Sequence, residues 1–406
     1  MKKLLMYGAG NIGRGFIGQL FSQSGYEVVY IDINDELIAA FNREHRYPVR
    51  ILSGKETRDI WVENASGIHG ADVRSITEAI SIADIMATAV GAGALPTIAK
   101  QIAAGLNKRW QIKNMKAFDI LVCENLPEAG STFAGFIRAE LGQEHQEFFD
   151  EKVGIVETSI GRMVPVMTPE RMDGNPLRVC VEEFCELPVD QNGFKGAIPP
   201  VINMIPYSPF AYIHQRKLYI HNMGHALTAY LGRLKGYLYI AGAIEDPVIR
   251  QVVTAAMRDL AECLCKRHGT SREDTNSYVD DLIRRFGNRQ LCDTVDRVGN
   301  DAKRKLSPRD RLVGAARLCV EYGISPQYLC LGIAAAIRFL CSENKTGDCP
   351  VSEVLEKICG IDSNDPLYES IIVQYKAIES GIPLEDTVKT ITEILNQDAA
   401  SDGEGI

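Results

Sequence analysis

The chain has 406 residues, with 44 Lys and Arg against 53 Asp and Glu and a formal charge of −9. At ~150 residues per domain this length implies two or three domains, and a composition 46% hydrophobic and 24% charged excludes collagen-like, disordered and disulfide-miniprotein classes. An acidic chain without a long Lys/Arg run lacks the footprint for a phosphate backbone, so no nucleic acid is expected as a partner, and an anionic ligand must be met by locally placed cations.

The opening Met1-Lys2-Lys3 with Leu4 to Tyr7 mimics a secretion signal, but Gly8 cuts the apolar run short. No apolar stretch reaches the ~18 residues of a membrane span either, so a cytoplasmic protein with no membrane partner is expected. Strand candidates at Lys3 to Tyr7, Glu27 to Asp32, Ile85 to Val90, Phe118 to Cys123 and Val153 to Glu157 alternate with segments of helical period. That alternation is the pattern of βαβ units on a parallel sheet, which gives an α/β fold with a Rossmann-type N-terminal domain. Between Thr158 and Asp190 shorter strands such as Leu177 to Phe184 are added, and Pro199-Pro200 and Pro206 mark a boundary. Beyond Ser208 the chain is mostly α-helical in period, with Ser208-Pro209 placed as an N-cap and first-turn pair. The expected division is residues 1–200 as the nucleotide-binding domain, 201–395 as a helical substrate domain and 396–406 as a small, polar, flexible tail.

Eleven cysteines are too sparse for a disulfide scaffold, and an odd number leaves one unpaired. They read as mostly buried thiols. Cys263-x-Cys265 has no second Cys or His pair at structural-zinc spacing, so no metal is expected there.

Gly8-Ala9-Gly10-Asn11-Ile12-Gly13 follows the first strand and opens a segment, Phe16 to Phe21, of helical spacing. A glycine turn in that place lets backbone N–H groups and a helix N-terminus approach a pyrophosphate, so Gly8, Gly10, Asn11, Ile12 and Gly13 are cofactor candidates. Asp32 ends the second strand, where its carboxylate can accept hydrogen bonds from adenosine ribose hydroxyls and repel a 2′-phosphate; NAD is predicted over NADP. Thr88 and Val90, in Thr88-Ala89-Val90-Gly91, end a later strand at the same sheet edge.

The segment after Ser208 carries Lys217, His221, Asn222 and His225. At ~100° per residue, Lys217 and His225 lie ~80° apart and Asn222 a further ~60° round the same side, so all three can face one pocket. His221 and His225 also form an i, i+4 pair like that of a zinc helix, but Asn222 stands where a metalloprotease has its Glu base and no third ligand is evident. The metal-free reading is alcohol–ketone chemistry, in which a lysine of lowered pKa takes the hydroxyl proton and an asparagine amide steadies the oxyanion. Spacing alone does not choose between these and an amphipathic helix facing solvent.

Lys217-x4-Asn222-x2-His225 resembles the signature of the polyol-specific long-chain dehydrogenases. Gly8 to Gly18, Cys123-Glu124-Asn125-Leu126, and Asp293 to Leu312 with its Arg304-Lys305-Leu306-Ser307 core are similar to the branch of that family acting on mannitol 1-phosphate. The resemblance runs in the same order over nearly the whole chain. It implies a monomeric, metal-independent enzyme interconverting a hexitol phosphate and a ketose phosphate, mannitol 1-phosphate and fructose 6-phosphate, with NAD. It implies Lys217 as general base, Asn222 and Asn125 as the oxyanion pair, and His225 as a substrate-orienting residue. Arg297 and Lys305 match pocket-lining positions, and Arg297, Arg304, Lys305 and Arg216 are the candidates to meet the sugar phosphate, since Arg suits bidentate phosphate contacts.

Two departures bear on the substrate. In Glu157 to Pro165 the family usually has Asp immediately before the Arg, where it contacts a substrate hydroxyl; here that residue is Gly161, with Glu157 four residues earlier as a substitute substrate contact. Leu187 replaces a usual aromatic after Phe184-x-Glu186. An unphosphorylated polyol or a sugar acid is therefore the alternative substrate, and a non-catalytic NAD-binding sensor the alternative function.

Overall fold

The computed structural model describes residues 1–54, 56–124, 128–343 and 350–403. Chain contacts divide it into two compact units, Met1–Ile213 and His214–Ile406.

In the first unit eleven strands are named in chain order: β1 Lys2–Tyr7, β2 Tyr26–Asp32, β3 Arg46–Leu52, β4 Thr57–Glu63, β5 Ala65–His69, β6 Ile85–Thr88, β7 Phe118–Val122, β8 Val153–Glu157, β9 Val179–Glu182, β10 Leu187–Asp190 and β11 Met204–Tyr207. Six form a sheet in the order β5-β2-β1-β6-β7-β8, every pair parallel. Counting only these six along the chain, the order is 3-2-1-4-5-6, that of a doubly wound dinucleotide fold, and it reverses between β1 and β6. The lack of polar alternation in these strands follows from burial on both faces. Leu4 and Met6 of β1 enter a core with Phe16, Ile17 and Leu20, while Leu5 and Tyr7 enter another with Ile98, Ile102 and Phe133.

Two small sheets complete the unit, β4-β3-β9 and the parallel pair β10-β11. The first helical run is π-helical over Gly13–Gly18 and α-helical over Gln19–Gln23, so it starts before the expected Phe16. It lies against β9, where a Cβ on Gly15 would stand 2.7 Å from Val181 Cγ1. Arg162, only 4% exposed, fastens the two by donating to the carbonyls of Gly15 (2.8 Å) and Glu182 (3.0 and 2.8 Å) and to Gln19 Oε1 (2.8 Å).

The boundary expected at residue 200 comes later, because β11 pairs with β10 and stays with the first unit. Ser208 and Pro209 lie in the bend before the helix Ala211–Gln215 instead of in its first turn. Among its described residues the second unit is built from helices, with an isolated bridge between Tyr239 and Thr294 and no named strand. Its centre is the helix Met223–Leu234, whose Leu227, Tyr230 and Leu231 are fully buried. The helices Pro247–His268 and Gln327–Glu343 approach it closely, and a Cβ on Gly224 would lie 2.5 Å from Met257 Sδ. The segment from Asn396, expected as a flexible tail, continues the helix Leu384–Gly403 as far as the described residues run. Among the described cysteines nine are free thiols, six of them buried, and Cys341 is disulfide-bonded.

Candidate active site

At the strand-order reversal the three glycines of the turn after β1 differ in what they allow. Gly8 has φ +97°, and a Cβ there would meet the Ala89 carbonyl oxygen at 2.4 Å. A Cβ on Gly13 would stand 2.0 Å from Gly8 O. The protein's own backbone therefore fills the space at both positions. Gly10, by contrast, is exposed and has nothing within 4 Å of a Cβ, leaving the turn open where a pyrophosphate must approach the backbone. Asn11 and Ile12, half-buried, lead from it into the helix.

Asp32 closes the same turn. Its Oδ2 accepts from Ala9 N at 2.6 Å and its Oδ1 from Asn34 N at 3.0 Å, which holds the carboxylate beside the glycines with lone pairs left for ribose hydroxyls. Thr88 is fully buried, with Oγ1 unpaired among the described residues, so its side chain belongs to the strand core and not to the opening. Val90 is half-buried and packs over Gly8. Asn125, the expected oxyanion partner, lies outside the described residues. Its neighbour Glu124 accepts from Val90 N at 2.8 Å and Gly91 N at 2.9 Å. Glu157, expected at the substrate, instead accepts from Gly130 N at 3.0 Å in the first turn of the helix Ala129–Glu140, a favourable place for a carboxylate.

In the second unit, Lys217 and Asn222 both fall in a π-helical stretch, Arg216–Asn222, that runs directly into the helix Met223–Leu234. This alters the expected geometry. A π-helix closes its hydrogen bonds from i to i+5, so residues five apart take the near-stacked relation that i and i+4 have in an α-helix. Lys217 and Asn222, ~140° apart on an ideal α-helix, are thereby turned towards one face.

Burial, and after it the charge of Arg311, lowers the Lys217 pKa from 10.5 to about 8. Lys305 is buried as well and is lowered to about 8 by desolvation, Arg311 and Arg304. Its Nζ donates to Val298 O at 2.5 Å and also to Asn300 O. Arg311 is held by Asp310, Nε to Oδ1 at 2.8 Å, and Arg304 reaches the other oxygen of Asp310 at 3.2 Å while also pairing with Asp301. Arg216 lies 4.3 Å over the Tyr278 ring.

His225 stacks on Phe286, with ring centroids 5.0 Å apart and planes 12° from parallel. Its Nε2 stands 3.1 Å from Asp293 Oδ2, an ion-pair distance without the alignment of a hydrogen bond. Arg297 donates to the other oxygen of Asp293 through Nε (2.7 Å) and Nη2 (2.6 Å). Burial alone would raise the Asp293 pKa, but His225 and Arg297 outweigh it and keep the carboxyl below its ordinary range. His221 is pushed well below the usual imidazole value by burial and by Arg285, His225, Lys217 and Arg311, which leaves it neutral. Among the described residues, no three His, Cys, Asp or Glu side chains are grouped to hold a metal ion.

Lys217, Asn222 and His225 thus share one continuous helical run, and Asp293 ties His225 to Arg297. The proposed phosphate ligands Arg297, Arg304 and Lys305 each already have a carboxylate or carbonyl partner. Glu124, Asp293 and Arg311 lie inside the stretches that carry the resemblance, but the sequence reading gives none of them a role of its own. Asp293 also carries a local signal, its i, i+4 spacing to Arg297.

The family model described as the mannitol dehydrogenase Rossmann domain matches residues 2–203, and that of the mannitol dehydrogenase C-terminal domain matches residues 210–381. Among solved structures, a D-sorbitol dehydrogenase in substrate-free form is similar, with a TM-score of 0.79, 17% identity, 95% of this chain covered and 94% of that one. The Pseudomonas fluorescens mannitol 2-dehydrogenase, in a ternary complex with NAD and D-mannitol, is similar with a TM-score of 0.74, 16% identity, 97% of this chain covered and 94% of that one. At these identities the two structures share the fold with this chain.

Proposed function

Since the chain belongs to the mannitol dehydrogenase family, we propose that it is a NAD-dependent, metal-independent oxidoreductase interconverting a hexitol phosphate and a ketose phosphate, D-mannitol 1-phosphate and D-fructose 6-phosphate. The observation that carries the chemistry is Lys217, a lysine brought to about 8 by burial and Arg311 on the same helical run as Asn222. The dinucleotide reading is supported by the open space at Gly10 and the anchored carboxylate of Asp32. The bound nicotinamide would supply the hydride acceptor in one direction and the donor in the other.

In the oxidation direction the neutral Lys217 Nζ takes the proton of the reacting hydroxyl, the C–H hydrogen leaves with its electron pair, and the remaining C–O becomes a carbonyl. The Asn222 amide donates to the oxygen as negative charge grows on it, without itself titrating. Asn125 is assigned the same role. His225, fixed by the Phe286 ring and Asp293, orients a substrate hydroxyl. In the reverse direction the Lys217 ammonium returns the proton. The protein is taken to act as a cytoplasmic monomer on a dissolved small molecule, with no nucleic acid or membrane partner. The net charge of −9 disfavours a phosphate backbone as partner, and among the described residues no helix is long and apolar enough to cross a membrane.

Lys305, Arg304 and Arg311 support a phosphate as the substrate's anionic end, because after burial, the larger cause for each, the Arg311 charge lowers both Lys217 and Lys305, and Arg304 lowers Lys305 further. The competing substrate, an unphosphorylated polyol or sugar acid, is favoured by one observation: Arg297, Arg304 and Lys305 are already engaged within the protein. NADH oxidation with fructose 6-phosphate, fructose and fructuronate as parallel substrates decides between them. At least tenfold higher kcat/KM for the phosphate is expected, by about the worth of one charge-assisted contact. Equal rates on fructose 6-phosphate and fructose remove the phosphate assignment, and no NADH oxidation with any of the three removes the reaction class.

A further inference from the structure

The loop after β6 and the chain after β7 are neighbours at the carboxyl edge of the sheet, since β6 and β7 pair from Ile85↔Asp119 to Thr88↔Val122. Backbone hydrogen bonds continue this pairing for one residue, with Cys123 N donating to Thr88 O at 2.9 Å. On the other side Ala89 N still donates to Tyr7 O of β1 at 2.8 Å; beyond it the sheet ladder stops, and the next two amides of the β6 loop, Val90 N and Gly91 N, would be left without a strand partner. Glu124 supplies one: its two carboxylate oxygens take one amide each, Oε1 from Val90 at 2.8 Å and Oε2 from Gly91 at 2.9 Å. Gly91 has φ +86°, so the chain turns away through a left-handed conformation directly after the two amides held by the carboxylate. The loop held in this way presses on the glycine turn, since Ala89 O and Val90 Cγ1 are among the nearest atoms to the position of a Gly8 Cβ.

We infer that Glu124 is a positioning residue for the dinucleotide site: its carboxylate, bridging the Val90 and Gly91 amides, sets the height of the Ala89–Gly91 wall over the glycine turn and anchors the chain immediately before Asn125. Two features make this a functional and not merely a local contact. A carboxylate is an acceptor at both ends, which suits two N–H donors side by side, while a carboxamide offers one acceptor and turns an N–H₂ donor onto the second amide. The clamp also touches both segments that border the site: Glu124 itself belongs to neither apolar core, while Ala89 and Val90 of the clamped loop pack against the cores on the two faces of the sheet.

This inference rests on the dinucleotide reading but not on the identity of the substrate, so the test is cofactor binding by the full-length chain, read as NADH fluorescence. Glu124→Gln, isosteric with the native residue, is expected to weaken NADH binding about tenfold, the scale of a lost charge-assisted hydrogen bond. Its thermal midpoint is expected to stay within a few degrees of the parent. Glu124→Asp, which keeps both acceptors on a shorter stem, is expected to recover part of the loss. If the parent binds no NADH, the dinucleotide reading itself is wrong. If the parent binds and Glu124→Gln binds within twofold of it, the positioning role is wrong. A loss of binding in Glu124→Gln and Glu124→Asp alike that parallels a fall in thermal midpoint also overturns it, because the residue then serves only folding.

Discussion

Arg311→Met isolates the charge that acts on the proposed base. In the native protein Lys217 is lowered to about 8 by burial first and by Arg311 second. The oxidation direction needs neutral Lys217, so its rate should rise with pH to a plateau, with a midpoint near 8; the reduction direction needs the ammonium and should fall through the same range. Removing the Arg311 charge leaves the burial but relieves the repulsion, so the Lys217 pKa moves up. A nearby charge shifts a pKa by up to a few units, and as the smaller of two causes here Arg311 is assigned about one. At pH 7 the neutral fraction of Lys217 would then fall from roughly one-tenth to roughly one-hundredth, and oxidation with it by about tenfold, while rates near pH 10 converge. The assay is NADH formation from mannitol 1-phosphate at saturating NAD, from about pH 6 to about pH 10, paired with fructose 6-phosphate reduction across the same range. The two profiles should move together to higher pH. Lys305→Met, whose amino group is not among those acting on Lys217, should raise KM and leave the midpoint in place. An Arg311→Met midpoint that stays near 8 or moves down refutes the assignment of Lys217 as the titrating base.

Three further substitutions test separate parts of the site. Lys217→Ala should lower turnover by about 10²- to 10⁴-fold, the usual weight of a general base, while leaving NADH binding intact; residual turnover within tenfold of the parent contradicts the role. Asp32→Ala removes the acceptor for Ala9 N and, on this reading, for the ribose hydroxyls. Its kcat/KM with NAD should drop about tenfold or more and the NADP-to-NAD ratio should rise; an unchanged ratio would disprove the cofactor assignment. Asp293→Asn keeps the shape but removes the charge that holds His225 and Arg297, so KM for the sugar should rise about tenfold with kcat less affected, measured by steady-state kinetics at fixed pH. An unchanged KM means that neither held side chain meets the substrate.

The sheet strands were legible to different degrees for a physical reason. β1, β2, β6, β7 and β8 contribute to the cores on both faces of the sheet, so each is mostly apolar between turn residues, with charges confined to strand ends and to Glu27 and Asp119, and could be read directly. β4, Thr57–Glu63, has one buried side chain, Val62, among seven residues, and its strand character comes from pairing along the whole of β3. β10 contains Pro188 and is held by β11, a partner whose contribution also carries the first unit past the proline-rich patch. Neither strand announces itself without its partner.

The sequence alone determined the dinucleotide turn, the helical second half and the identity of the candidate base, since each is written in a contiguous stretch: G-x-G-x-x-G after a strand, helical periodicity, and Lys217-x4-Asn222-x2-His225. Tertiary structure decided what those residues can do. The π-helical stretch narrows the angle between Lys217 and Asn222 from that of an ideal helix. The lowered lysine depends on enclosure and on Arg311, far along the chain. Asp293 reaches back to His225, and Glu124 reaches back to Val90 and Gly91. Burial and Coulomb interactions depend on distance in space, so residues remote in sequence set the pKa and orientation of the groups that the motifs only name.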